Sequence, residues 1–197
     1  MVRNYAVLNS LLLQPDSGFC QPAQSLPQRV GFDDAAESVM TDLKQVSGVI
    51  IRPGDGIDEA NQRMIQRGVR LLLVVDENRK VVGIITAVDI LGEKPLQVIA
   101  ERGCRREEIL VRDIMTPQHR LEVLNMGDVH SAKVGHIVTT LKKSGRQHAV
   151  VVEVDRNGNQ MVRGLFSATQ IARQLGVAIQ TSEVARTFSE IEAMLAR

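Results

Sequence analysis

The sequence predicts an α/β fold of the α+β type in which one β-α-β-β-α unit occurs twice. Three observations predict it. Short motifs recur: Val39-Met40-Thr41 returns as Ile114-Met115-Thr116, and Gly54-Asp55 as Gly127-Asp128. A longer segment, Leu72 to Ile90, is echoed by Ala149 to Ile171, with a polar turn longer by about four residues in the second copy, an insertion that surface turns tolerate. The repeat period is therefore roughly 75 to 80 residues. Finally, the composition fits a soluble globular chain: of 197 residues, 44% are hydrophobic and 24% charged.

Each copy parses in the same order. A short apolar strand, Val49 to Ile51 or Leu121 to Leu124, leads through a Gly-Asp turn into a helix. In the second helix Val134, Ile137, Val138 and Leu141 fall at i, i+3, i+4 and i+7, one apolar stripe. Gly68 and Gly145 stand where helices end in a left-handed residue. Two β-branched runs then flank polar turns at Asp76 to Lys80 and Asp155 to Gln160, the signature of hairpins. The last strand of each copy runs into Thr86 or Ser167, hydroxyl residues that can cap the next helix. Neither half buries enough surface alone, so the two are expected to pack as one unit.

The boundaries read as an N-terminal arm or disordered extension over 1–30, a first repeat over 34–103, a second over 108–176 and a C-terminal helix over 177–197. The arm is rich in Gln, Pro and Ser. In the last segment Val184, Phe188, Ile191 and Leu195 form a further apolar stripe, suited to docking on the module or on a partner chain.

Composition narrows the function. Lys plus Arg number 24 against 23 Asp plus Glu, so no global field draws the chain to nucleic acid or anionic lipid. With no Trp, one Tyr and four Phe, a nucleobase would be gripped by aliphatic faces. Cys20 and Cys104 form no disulfide framework and read as free thiols. The apolar run Leu11 to Leu13 stops at Gln14-Pro15, far short of the roughly 18 residues a membrane span needs. A cytoplasmic protein with no membrane association is expected.

No catalytic motif is present: there is no G-x-G-x-x-G, G-x-x-x-x-G-K-[ST], H-E-x-x-H or G-x-S-x-G. His130 and His136 lie on different helical faces, which argues against a metal pair. A non-enzymatic chain with no metal is the expectation. Thr86 and Asp89, three apart at a helix start, combine a hydroxyl, free amides and a carboxylate able to accept from a ribose diol, a set that suits a nucleotide.

Strand, hairpin, G-h-h-[ST]-x-x-D and helix, read in Gly83 to Asp89 and again in Gly164 to Gln170 and each preceded by a Met-Thr step, resemble a tandem pair of cystathionine beta-synthase (CBS) domains over about residues 34–176. The resemblance implies one pseudo-two-fold CBS-pair module with two clefts. It further implies a homodimer and a regulatory ligand, either an adenine nucleotide (AMP, ADP or ATP) or S-adenosylmethionine, with an unknown regulated protein as partner. Carried over, Thr86 would touch phosphate and Asp89 the ribose. Ile51 and Pro53 would line the adenine pocket, with Leu124 at the end of the second copy's first strand. Met115 and Thr116 would form part of the same wall, and Arg70 and His148 would stand near phosphate. Ser167, Thr169 and Gln170 would serve the second cleft, where Gln170 replaces the family's acid and predicts unequal sites.

Two alternatives remain open. Thr169 to Val177 has the Ala and Gly spacing of a helix-turn-helix, which would make a DNA-binding regulator, although Glu183, Glu190 and Glu192 suit the C-terminal segment poorly to nucleic acid. The other alternative is a ligand-free protein-interaction CBS module.

Overall fold

The computed structural model describes residues 23–177 together with Leu12, Gln14 and Pro15. Its strands are β1 (Met40–Asp42), β2 (Ile50–Ile51), β3 (Leu71–Val75), β4 (Val81–Thr86), β5 (Thr116–Pro117), β6 (Val123–Asn125), β7 (His148–Val154) and β8 (Gln160–Ser167). Its helices are α1 (Ile57–Arg67), α2 (Ala87–Leu91), α3 (Lys94–Arg102), α4 (Val111–Ile114), α5 (Met126–Ser131), α6 (Val134–Ser144) and α7 (Ala168–Gln174).

Two four-stranded sheets form, in the orders β2-β3-β4-β5 and β1-β8-β7-β6. Each Met-Thr step crosses over. β1, near the start of the first repeat, pairs antiparallel with β8 of the second, and β5, near the start of the second repeat, pairs with β4 of the first. This exchange explains the glycine of the G-h-h-[ST] motif. A Cβ at Gly83 would stand 2.5 Å from the Thr116 carbonyl oxygen, and one at Gly164 would stand 2.7 Å from Met40 Sδ and 2.9 Å from the Thr41 carbonyl oxygen. Only a residue without a side chain admits the crossing strand.

The period-2 alternation of the strands sorts side chains into layers. Leu71, Leu73, Val75, Ile84 and Val150 pack between the two sheets. Leu72, Val74 and Ile85 face the first half's helices, and Val151 and Phe166 face the second's. The stripe Val134, Ile137, Val138 and Leu141 is buried throughout. Gly68 and Gly145 end α1 and α6 with φ near 63° in both.

The structure differs from the sequence expectations in two places. Gly127-Asp128 is no turn: it lies inside α5, whose start is capped by the Asn125 side chain accepting from the Gly127 amide at 2.9 Å. Residues 23–30, expected to be an arm outside the repeats, are bonded to the second half. Gln24 donates to the Met40 carbonyl at 2.9 Å and accepts from the Asp42 amide at 2.8 Å, so its amide group satisfies the open edge of β1. Val30 and Phe32 pack on the second core. The remainder of the arm, including Cys20, and the C-terminal stripe from Val184 to Leu195 lie outside the described residues. Among the described residues no helix is long and apolar enough to cross a membrane.

Candidate functional site

Strand β4 ends at Thr86, which faces Leu71 across the hairpin, and His148 faces Ser167 in the same register of the second half. Each hairpin thus delivers a capped helix start to one end of the layer between the sheets. At the Thr86 end a cavity of about 430 Å³ opens between the halves. Its first-half wall is Ile84, Thr86, Val88 and Asp89, and the exchanged strand adds Thr116. The second-half wall is Leu121, Glu122 and Val150 with the turn Gly145 to His148 that joins α6 to β7.

Asp89 is held tightly. Its Oδ2 accepts from the Thr86 amide at 2.8 Å and from Thr86 Oγ1 at 2.7 Å, and Oδ1 pairs with Lys94 Nζ at 2.6 Å. This reciprocal cap is the local reason for a Thr and an Asp three apart. A carboxylate has about four acceptor positions. Three are taken, so a diol needing two must displace Lys94, whose Nζ also donates to the Ile114 carbonyl at 2.9 Å. On the facing wall Arg146 Nη2 lies 3.0 Å from Glu122 Oε2. Burial pushes the His148 imidazole down to about 4, the nearby Arg70 guanidinium adds to this, and Asp89 opposes it. At neutral pH His148 is therefore uncharged.

Of the residues expected at the site, the cavity brings together Thr86, Asp89, Thr116 and His148. Arg70 is exposed just before β3, its charge reaching His148. Ile51 does not reach this cavity. Its register partner Val74 faces the helices, so alternation sends Ile51 into the same core and onto a separate hollow of about 570 Å³. The Pro53 carbonyl accepts from the Arg112 amide at 3.0 Å, which ties that turn to α4. Met115 packs on the first helix-side core and Leu124 on the second. Ser167 caps α7, its hydroxyl accepting from the Gln170 amide at 3.5 Å, while the Gln170 side chain donates to Gln174 at 3.4 Å. With Thr169 these residues lie at the start of α7, outside the lining of this cavity.

Sequence reasoning missed Glu122 and Arg146. The available signal was Gly145: a helix ending there obliges Arg146 and Gln147 to form the turn into β7, beside the other half's cap.

Residues 36–95 match the family model of the CBS domain. Over that stretch the chain is similar to a CBS domain, and its two-sheet fold is similar to that of the following solved structures. A conserved protein of Pyrococcus horikoshii is similar to it at 19% identity and TM-score 0.53, covering 78% of this chain and 100% of that one. The CBS-domain protein ATU1752 of Agrobacterium tumefaciens is similar at 18% identity and TM-score 0.53, covering 73% and 95%. A protein with CBS domains from Burkholderia ambifaria MC40-6 is similar at 21% identity and TM-score 0.50, covering 70% and 88%. No curated protein matches the sequence. The described residues include no group of three or more His, Cys, Asp and Glu able to hold a metal ion.

Proposed function

We propose that this chain is a CBS pair, a non-enzymatic sensor that binds an adenosine-bearing ligand, either an adenine nucleotide or S-adenosylmethionine, in the cavity between its halves and signals to a partner protein as a homodimer. The observation that carries the reading is the convergence of Thr86, Asp89, Thr116 and His148, from both repeats and the exchanged strand, on one cavity. Asp89 supplies the anionic acceptor for a ribose hydroxyl, and Ile84 and Val150 supply aliphatic surface for a base. Because the walls come from different halves, a ligand that favours one arrangement of the halves shifts the population toward it.

A thermal-shift screen with AMP, ADP, ATP, S-adenosylmethionine, NADH and short DNA duplexes tests it, since a ligand bound only by the folded state raises the midpoint. Adenosyl ligands should raise it and DNA should not. Sustained ATP hydrolysis by the pure protein, lost on changing Asp89, would overturn the sensor reading.

A ligand-free interaction module is the second reading, favoured by the internal partners on both oxygens of Asp89. It predicts no shift with any adenosyl compound.

A further inference from the structure

The second-half wall of the cavity carries an anion beside its cation. Glu122 is exposed, lies just before β6 and holds Arg146 at 3.0 Å. The other charged groups around the cavity are Asp89, already paired with Lys94, and Arg70, which acts on His148 from outside the lining. His148 is neutral at pH 7 and lends no charge. Glu122, Arg146 and His148 line the same cavity as Thr86 and Asp89, so an adenosyl ligand with its ribose at Asp89 can turn its 5′ substituent toward them. There a phosphate has to take Arg146 from Glu122 and sit against a carboxylate.

We infer that Glu122 is a charge filter, discriminating against phosphorylated adenosyl ligands and favouring those whose 5′ substituent is neutral or cationic. The inference rests on the adenosyl reading of this same cavity. Its physical content is a difference of affinities, set by one repulsive group as much as by attractive ones.

Calorimetry with adenosine, AMP and S-adenosylmethionine on the full-length protein and its Glu122→Gln and Arg146→Gln variants tests it. An exposed pair is worth little, so Glu122→Gln should tighten AMP by about three- to fivefold and weaken S-adenosylmethionine by a similar factor, with adenosine changed less than about twofold. Arg146→Gln should weaken AMP and spare adenosine. The Glu122→Gln effects should shrink as salt is raised, because both groups face water. Opposite signs for the anionic and cationic ligands are the decisive result, since a change in folding or cavity shape moves them together. If Glu122→Gln shifts all three ligands alike, or none, the filter is refuted while the adenosyl site stands. If the unaltered protein binds none of the three, the filter and the adenosyl reading both fall.

Discussion

Asp89 accepts two hydrogen bonds from a single residue, Thr86, through its backbone amide at 2.8 Å and its hydroxyl at 2.7 Å. The pair read in the sequence as suited to a nucleotide is therefore also the cap of α2, and the cap can be separated from the proposed binding role by experiment. Removing such a cap costs about 0.5 to 2 kcal/mol. Thr86→Ala and Asp89→Ala should each lower the stability measured in urea by that amount. The double variant should fall short of their sum because they break one shared interaction.

Binding obeys a different pattern. Hydrogen bonds to a charged group contribute roughly 1.5 to 3 kcal/mol, and about 1.4 kcal/mol is a tenfold change in Kd. Asp89→Ala should weaken an adenosyl ligand by about ten- to a hundredfold on those constants, whereas Gln170→Ala, on a side chain directed to Gln174, should change it little. Calorimetry on both variants decides between them: a larger loss from Gln170→Ala would move the ligand to the start of α7.

The glycines of the two motifs make a sharper structural test. Gly83→Ala brings a methyl group to 2.5 Å from a backbone oxygen of β5, where no side-chain rearrangement relieves it. Gly164→Ala meets the Met40 side chain and, at 2.9 Å, a backbone oxygen of β1. Both should destabilise by about 1 to 3 kcal/mol, as overpacked sites do. Gly54→Ala, with nothing within 4 Å, should stay within about 0.5 kcal/mol of the parent. Equal midpoints for all three in urea would refute the strand exchange.

The duplication, the hairpins and the helix ends were legible because they are local: they depend on period-2 runs, polar turns and Gly68 or Gly145 at a helix end. The partner of the Met-Thr strands was not, because an edge strand carries no label of the sheet it joins, and only the bare Cα of Gly83 and Gly164 hints at the crossing. The site divides along the same line. Thr86 and Asp89 were visible as one helix turn, whereas Glu122 and Arg146 reach the cavity only through the packing of one half on the other. The direction of the Ile51 side chain was not legible because, in a strand of two residues, it is fixed by register with Val74 and not by any run of alternation.

Ile65, Val88, Leu91 and Leu96 are exposed on α1, α2 and the start of α3, with Ile65, Leu91 and Leu96 each at least 66% accessible. At the equivalent places of the second half, counted from Gly145 and Ser167, stand Lys142, Thr169 and the buried Ala172. Such apolar side chains on the first half's helices fit a two-fold contact between first halves, since a two-fold interface uses the same patch on both subunits. Light scattering at tens of micromolar should give a dimer mass, and Leu91→Arg combined with Leu96→Arg should give a monomer. A monomer mass for the unaltered protein, with or without nucleotide, would count against the dimer.

His148 gives the protein a specific pH dependence. Its folded pKa, about 4, lies below the 6.5 of an unburied imidazole, because burial and Arg70 disfavour the charged form more than Asp89 favours it. Between these values the unfolded chain binds a proton that the folded chain does not, so stability rises with pH across that window. The contribution of His148 is fully present above about pH 6.5 and is lost progressively as pH falls toward 4. Carboxylates titrate in the same range, so the measurement is the difference between the parent and His148→Gln in urea unfolding at a series of pH values. That difference should be flat above about pH 7 and slope between pH 6.5 and 4, with the variant losing less stability on acidification. A parallel pair of curves would show that the imidazole titrates alike in both states and is not held neutral against the Asp89 cavity wall.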